Sequence, residues 1–188
     1  MASWHAKKLA IPHTIIPMAF MNDFFKSDLL RSGGRIPEGH YEAATMKQTV
    51  VPARNAIMLS IAAGFAESYR AEAVAYGAHS GDHAIYRDCR EEFLTPMAQA
   101  LREGTDSAIE LLRPFVRMNK AAIVKEGLLL GVDYTHTWSC YKGESLHCGL
   151  CGTCVERKEA FLIAGVADPT GYKTHHETII GTDGISSI

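Results

Sequence analysis

Four of the five cysteines lie close together near the C-terminal end of the chain, in the segment TWSCYKGESLHCGLCGTCVERK (137–158). Their spacing is C-x7-C-x2-C-x2-C, formed by Cys140, Cys148, Cys151 and Cys154. A C-x2-C turn directs two sulfur atoms at one ion, and four thiolates at about 2.3 Å fill the tetrahedral positions around Zn²⁺. Such a site leaves no open position for water. The spacing therefore predicts a structural zinc site rather than a hydrolytic one.

Two other interpretations of these cysteines remain open. Iron–sulfur clusters also use four thiolates, and the bacterial ferredoxin run begins C-x2-C-x2-C. That run continues C-x3-C-P, whereas residues 155–158 of this chain contain no cysteine. Disulfides are the other alternative, but thiols stay reduced in the cytoplasm, where clustered cysteines favour a metal.

A second group of polar residues, GAHSGDHAIYRDCREEF (77–93), follows a predicted buried strand at 71–78. Ligands of open α/β sheets bind beyond the carboxyl ends of the strands. The segment offers carboxylates for ring N–H groups, an aromatic face and hydrogen-bond donors, which suit a purine-like ligand. Composition alone favours a polar loop followed by a solvated helix start. Cys89 by itself is typical of a small buried residue rather than a nucleophile.

Length and composition predict one domain, perhaps with a small appendage, because 47% of the 188 residues are apolar. The 19 basic and 21 acidic residues give a net charge of -2, which gives no reason to expect direct nucleic-acid binding. No run reaches the ~20 apolar residues that span a bilayer. No secretory signal is recognisable either, so the sequence predicts a cytoplasmic protein without a membrane segment.

The elements that must position these residues alternate between helices and short strands, which is typical of an α/β fold with a parallel sheet. We expect a loop-rich region at 27–54 and a buried helix at 55–69 with Asn55 as its N-cap. The other expected elements are a strand at 13–18, a strand at 71–78, a helix at 90–102, a strand within 109–118, a helix at 119–131 capped by Asn119, and a helix from the cysteines to about 164.

Together the motifs resemble one family. VPARN (51–55), YGAHSGDHAIYRDCREEF (76–93), GVDYTHTWSCY (131–141) and HCGLCGTC (147–154) occur in this order, and the resemblance covers about residues 1–172. The family that they resemble is 7-cyano-7-deazaguanine synthase, which makes the nitrile precursor of queuosine.

The resemblance implies an adenine nucleotide α-hydrolase-like fold, a Rossmann-like parallel sheet flanked by helices. It implies a ligase that converts 7-carboxy-7-deazaguanine and ammonia to the nitrile with two ATP, through an acyl-adenylate and an amide. It further implies a homodimer, structural Zn²⁺ on the four cysteines, and Mg²⁺ with ATP. The implied substrate residues are Asp82, Tyr86, Asp88, Cys89 and Glu92. The implied nucleotide residues are Arg54 and Asn55, and Lys120 is a weaker candidate for a phosphate contact.

One family motif does not occur in these 188 residues. Members of the family begin with a strand and an SGGxDS loop that holds the pyrophosphate of ATP. Here SGGR (32–35) is followed by Ile36 and Pro37, which indicates a chance match in a flexible loop. We therefore expect the first strand or strands and the phosphate loop to precede Met1, and the chain alone to have little or no ligase activity.

Three regions are expected: an incomplete nucleotide-binding α/β domain with the substrate motif at 1–135, a zinc-binding region at 136–172, and a flexible tail at 173–188. The alternatives to a complete ligase are one half of a split ligase and a truncated, non-catalytic module that binds the deazapurine. A tRNA-thiolation enzyme is disfavoured, since it should show a basic face.

Overall fold

A computed structural model describes residues 1–41 and 43–173 of the chain. The expected tail lies outside these residues, apart from Lys173. Six α-helices and two strands make up the regular structure: α1 (Ala2–Lys8), α2 (Phe20–Phe24), α3 (Arg54–Ser68), β1 (Ala73–Ala75), α4 (Glu91–Gly104), β2 (Glu110–Leu112), α5 (Lys120–Leu129) and α6 (Gly152–Ala164). Short 3₁₀ helices lie at Ala44–Thr49, Ser80–Ala84, Arg87–Cys89 and Tyr134–His136.

The two strands pair in parallel, with Val74 opposite Leu111. Helix α3 packs on β1 and α4 packs on β2, so the crossover from β1 to β2 passes through α4. This confirms the predicted parallel α/β arrangement, although both strands are shorter than the predicted spans. The main core lies between these helices and strands, where Leu94 and Ile109 are completely buried.

Helix α3 corrects one prediction. The residue before it is Ala53, whose φ of 53° lies in the left-handed region, and Asn55 lies inside the first turn. Asn55 is therefore not the N-cap. Its amide instead donates to the Cys89 Sγ at 3.8 Å, so a contact with the core has displaced the expected local capping bond.

The predicted strand at 13–18 is also wrong. These residues belong to no strand in the described part of the chain, and Ile15 is 79% exposed. Their β-branched residues favour an extended backbone, but a strand also needs a neighbour that satisfies its backbone hydrogen bonds.

Helices α5 and α6 pack on each other and form a second core around Val124, Ala160 and Phe161. Asn119 caps α5 as predicted, because its side chain accepts from the N–H of Ala122 at 2.8 Å. Gly165 ends α6 with a φ of 74°, a conformation that glycine adopts without steric cost. None of the described helices has the length and apolar character needed to cross a membrane.

Candidate functional site

The four clustered cysteines converge on one point. Their Sγ atoms all lie within 4.8 Å of one another, and all four residues are buried. Four thiolates at about 2.3 Å from a tetrahedral ion lie roughly 3.8 Å apart, so the cluster can hold a metal ion. No disulfide joins these four cysteines to one another.

Backbone N–H groups in this loop point at the sulfur atoms. Gly149 turns the chain with a φ of 78°, after which the N–H groups of Leu150 and Cys151 donate to Cys148 Sγ at 3.4 and 3.3 Å. The N–H of Cys148 donates to Cys140 Sγ at 3.3 Å. Such hydrogen bonds favour the charged thiolate that a metal requires.

An ion pair supports the cysteine loop from the side of α6. The Arg157 guanidinium donates to both carboxylate oxygens of Asp168, at 3.1 and 3.2 Å, and to Thr137 Oγ1 at 2.7 Å. Burial opposes ionisation of Asp168, but hydrogen bonds from Arg157, Tyr172 and Thr170 together hold its pKa below the usual value. Both charged side chains are nearly inaccessible to solvent.

A second cluster contains His79, Asp82 and Glu156, whose ligand-type atoms also lie within 4.8 Å of one another. Asp82 and His79 come from the segment after β1, whereas Glu156 lies on the second turn of α6. Ser80 joins this segment to the start of α5, since its N–H and Oγ both donate to the Met118 carbonyl at 2.9 Å. The cluster therefore lies beyond the carboxyl ends of the parallel strands, where the sequence predicted a site.

Hydrogen bonds fix the orientation of His79 and Asp82. The N–H of Gly81 donates to His79 Nδ1 at 3.1 Å, so the imidazole carries its proton on Nε2 and donates to Asp82 Oδ2 at 3.3 Å. Tyr41 donates its hydroxyl proton to Asp82 Oδ1 at 2.8 Å. Burial lowers the pKa of His79, which keeps the imidazole neutral, and raises the pKa of Tyr41, which keeps it a donor.

A cavity of about 220 Å³ lies beside this second cluster. Its lining combines both members of an ion pair, Lys120 and Glu156, with an aromatic ring and apolar surface from α6. The lining residues are His40, Tyr41, Gly81, Asn119, Lys120, Ala121, Glu156, Glu159, Ala160 and Ile163.

The five predicted substrate residues do not come together. Only Asp82 belongs to the cluster beside the cavity. Tyr86 is buried, and its hydroxyl lies 2.7 Å from Thr49 Oγ1 and 2.9 Å from the Tyr141 hydroxyl. Glu92 is exposed on α4.

Cys89 and Asp88 have different surroundings again. Cys89 is buried, and burial raises the pKa of its thiol to about 12. The thiol is therefore protonated at neutral pH, as expected of a small core residue. Asp88 is partly buried, and its carbonyl accepts from the Tyr76 hydroxyl at 3.5 Å.

The two predicted nucleotide residues are adjacent and linked. The Nε of Arg54 donates to the Asn55 Oδ1 at 3.3 Å, and Asn55 in turn is buried against Cys89. Arg54 is only partly buried. Of this pair, Arg54 is thus the side chain that a ligand can reach.

Sequence reasoning did not select His79, Tyr41 or Glu156 as site residues. Tyr41 comes from the long loop at 27–54 and Glu156 follows the last cysteine by two positions, so neither belongs to a recognisable motif. Lys120 was a weaker candidate, for a phosphate contact that the resemblance implied.

Comparison with known proteins now places the chain in a family. The family model for the queuosine biosynthesis protein QueC matches residues 1–165. The chain belongs to the QueC family. The match covers both regions described above, because it extends from α1 through the cysteine loop and the whole of α6.

Several curated relatives are named 7-cyano-7-deazaguanine synthase. One from Porphyromonas gingivalis is 52% identical over 172 residues, which cover 92% of this chain and 78% of the relative. One from Rhizobium etli is 51% identical over 170 residues, covering 89% and 72%. One from Marinobacter nauticus is 50% identical over 163 residues, covering 87% and 74%.

Proposed function

We propose that the protein acts in the synthesis of 7-cyano-7-deazaguanine from 7-carboxy-7-deazaguanine and ammonia. The observation that carries this proposal is identity of about half the residues to synthases of that name over about nine tenths of the chain. The adenine nucleotide α-hydrolase-like fold is part of the same proposal. The parallel pairing of β1 and β2 and the cluster beyond their carboxyl ends support it.

The chemistry requires two activations, because a carboxylate oxygen and an amide oxygen are both poor leaving groups. In the first, a carboxylate oxygen bonds to the α-phosphorus of ATP and pyrophosphate leaves. Ammonia then attacks the acyl carbon, the C–O bond to AMP breaks and AMP leaves, and loss of a proton gives the amide. In the second, the amide oxygen bonds to the α-phosphorus of another ATP and pyrophosphate leaves. The C–O bond then breaks, AMP leaves, and loss of both N–H protons gives the nitrile.

For the cysteine cluster we propose structural Zn²⁺ held by Cys140, Cys148, Cys151 and Cys154. The support is the convergence of four buried thiols and the N–H groups directed at them. An ion with four thiolate ligands has no position for substrate, so this region shapes the fold rather than reacting. Metal analysis tests the proposal, with about one zinc per chain expected and iron as the contrary result.

For the ligands of the reaction we propose the cavity beside Asp82 as the substrate site and Arg54 as a nucleotide contact. Asn55 then acts indirectly, by holding the Arg54 side chain. Tyr86, Cys89 and Asp88 support the site from the core, whereas exposed Glu92 contacts a ligand only at its edge. Mg²⁺ enters this proposal with ATP, and the homodimer stays a proposal as well.

The decisive experiment has two measurements on the purified 188-residue protein. Calorimetry with 7-carboxy-7-deazaguanine should show binding, and guanine serves as the control ligand that lacks the carboxylate. An ATP- and ammonia-dependent assay for the nitrile then measures turnover. Absence of binding would contradict the proposed function.

A non-catalytic binding module is the second candidate, since these 188 residues contain no SGGxDS motif. It predicts binding of the acid with nitrile formation far below that of the Porphyromonas gingivalis synthase. Comparable turnover by the two proteins would exclude it and would assign phosphate binding to another segment of the chain.

A further inference from the structure

The cavity beside Asp82 has a positive group that its surroundings hold in place. Lys120 is the one lysine or arginine among the described residues that line it, and its ammonium group contacts Glu156 Oε2. The side chain of Glu156 is 12% exposed and that of Lys120 is 28% exposed. The pair therefore lies at the boundary between the protein interior and the cavity.

Several neighbours fix the position of this ion pair. The other carboxylate oxygen of Glu156 lies so close to Gly81 that a Cβ there would be 2.8 Å from it. The Lys120 Nζ lies 5.5 Å from the centre of the Tyr41 ring. Tyr41 and His79 already donate to the two oxygens of Asp82, so Asp82 has no need of Lys120 as a donor.

An ammonium group has three N–H donors, and a single carboxylate oxygen uses one of them. The remaining donors are available to an oxygen in the cavity. Protein kinases use a comparable pair, in which a glutamate holds the lysine that binds the phosphates of ATP. In both cases the carboxylate orients the lysine, and the lysine contacts the ligand.

We propose that Lys120, positioned by Glu156, binds the carboxylate of the ring substrate in this cavity. The inference rests on the proposed function and adds a specificity residue and a positioning residue to it. The volume of about 220 Å³ is small beside the roughly 300–1,000 Å³ typical of ligand pockets, so it suits a planar bicyclic acid better than a nucleoside triphosphate. Lys120 holds one carboxylate oxygen and leaves the other free for adenylation.

The amide intermediate offers a direct test, because it has the same ring and no negative charge. Lys120 should bind the acid through a charge-assisted hydrogen bond and the amide through a weaker, neutral one. We therefore expect Lys120→Gln to weaken binding of the acid about tenfold or more, and binding of the amide no more than about threefold. Lys120→Arg, which keeps the charge, should recover part of the lost affinity.

The position of Glu156 is tested with a matched pair of glutamate substitutions. Glu156→Gln should weaken acid binding about fivefold, since it removes the charge that orients Lys120. Glu126→Gln, at an exposed glutamate of α5 outside the cavity lining, is the control and should change affinity less than twofold. Thermal unfolding and metal content, measured on every variant, show that each one is folded.

Three results would overturn the inference. Equal loss of acid and amide binding in Lys120→Gln would indicate a structural role only. Loss of AMP binding with acid binding unchanged would assign Lys120 to a phosphate. An equal effect of Glu156→Gln and Glu126→Gln would remove Glu156 as the positioning residue. If the unsubstituted protein binds no acid, the proposed function fails first and this inference fails with it.

Discussion

The cysteine loop and the cavity beside Asp82 meet on α6 but are built in opposite ways. The loop takes all four of its ligand residues from fifteen consecutive positions, 140–154. The cavity and the cluster beside it combine residues from four separate stretches of chain, namely Tyr41, His79 with Asp82, Lys120 and Glu156. A local site depends on its spacing, whereas a dispersed site depends on the packing of the whole fold.

The two regions also treat charge differently. The cysteine loop surrounds its sulfur atoms with backbone N–H groups, which is how a protein stabilises thiolates for an ion. The cavity balances a buried carboxylate with an ammonium group on a neighbouring helix. We therefore expect a metal to stabilise the first arrangement, whereas the second pairs opposite charges within the protein.

The largest expected effect breaks the local site. Cys151→Ser removes one of four thiolates, and metal binding to a structural site contributes directly to folding free energy. We expect the free energy of unfolding to fall by more than about 4 kcal/mol, with loss of the bound metal. Chemical denaturation and metal analysis measure the two effects.

Cys89→Ser is the matched control for this change. Cys89 is as buried as the cluster cysteines but lies in the main core, against Tyr76 and Asn55. We expect a loss of about 1–2 kcal/mol and no change in metal content. If Cys151→Ser and Cys89→Ser unfold alike and both keep the metal, the cysteine loop is not a structural metal site.

A smaller loss of stability is expected from breaking the ion pair that holds the cysteine loop against neighbouring residues. Asp168→Ala leaves the buried Arg157 guanidinium without its carboxylate partner. Breaking a buried ion pair from one side costs about 3–5 kcal/mol, and we expect a loss in that range. Thermal and chemical unfolding provide the measurement.

The control for Asp168 is an exposed pair. Glu38 binds Lys142 at 2.6 Å, and its side chain is 35% exposed. Glu38→Ala should cost less than about 1 kcal/mol, because surface ion pairs contribute little. Equal losses for Asp168→Ala and Glu38→Ala would show that burial does not decide the contribution of these pairs.

The difference between the two regions explains what the sequence alone could predict. The convergence of the four cysteines, the cap at Asn119 and the end of the last helix near residue 164 follow from local signals, and the structure confirms each of them. Asn55 and residues 13–18 also gave local signals, for a helix cap and for a strand. Asn55 contacts the core instead, and residues 13–18 pair with no strand in the described part of the chain. Local preference was overruled there by tertiary structure.

The cavity shows the same limit more strongly. Asp82 was predicted because its segment resembles the family's substrate motif, and a motif is a property of the local sequence. Glu156 and Tyr41 join it only because α6 and the long loop fold against the segment after β1. Tyr86 and Cys89 have equally polar neighbours in the sequence, yet both point into the core. An irregular segment has no hydrophobic periodicity, so its sequence does not indicate which side chains point into the core and which point toward the site.

Apart from the control variants, the smallest expected loss of stability comes from a substitution at Gly81, which should still weaken the dispersed site. In Gly81→Ala the new methyl group would lie 2.8 Å from Glu156 Oε1 and 3.0 Å from His79 Cε1. The carboxylate must move, and we expect a loss of about 1–2 kcal/mol in stability together with at least threefold weaker acid binding. Gly77→Ala is the control, since a Cβ at Gly77 meets no atom within 4 Å. Chemical unfolding measures the stability of both variants, and calorimetry measures their acid binding. A Gly81→Ala variant with full stability and unchanged acid binding would show that the position of Glu156 does not matter to the site.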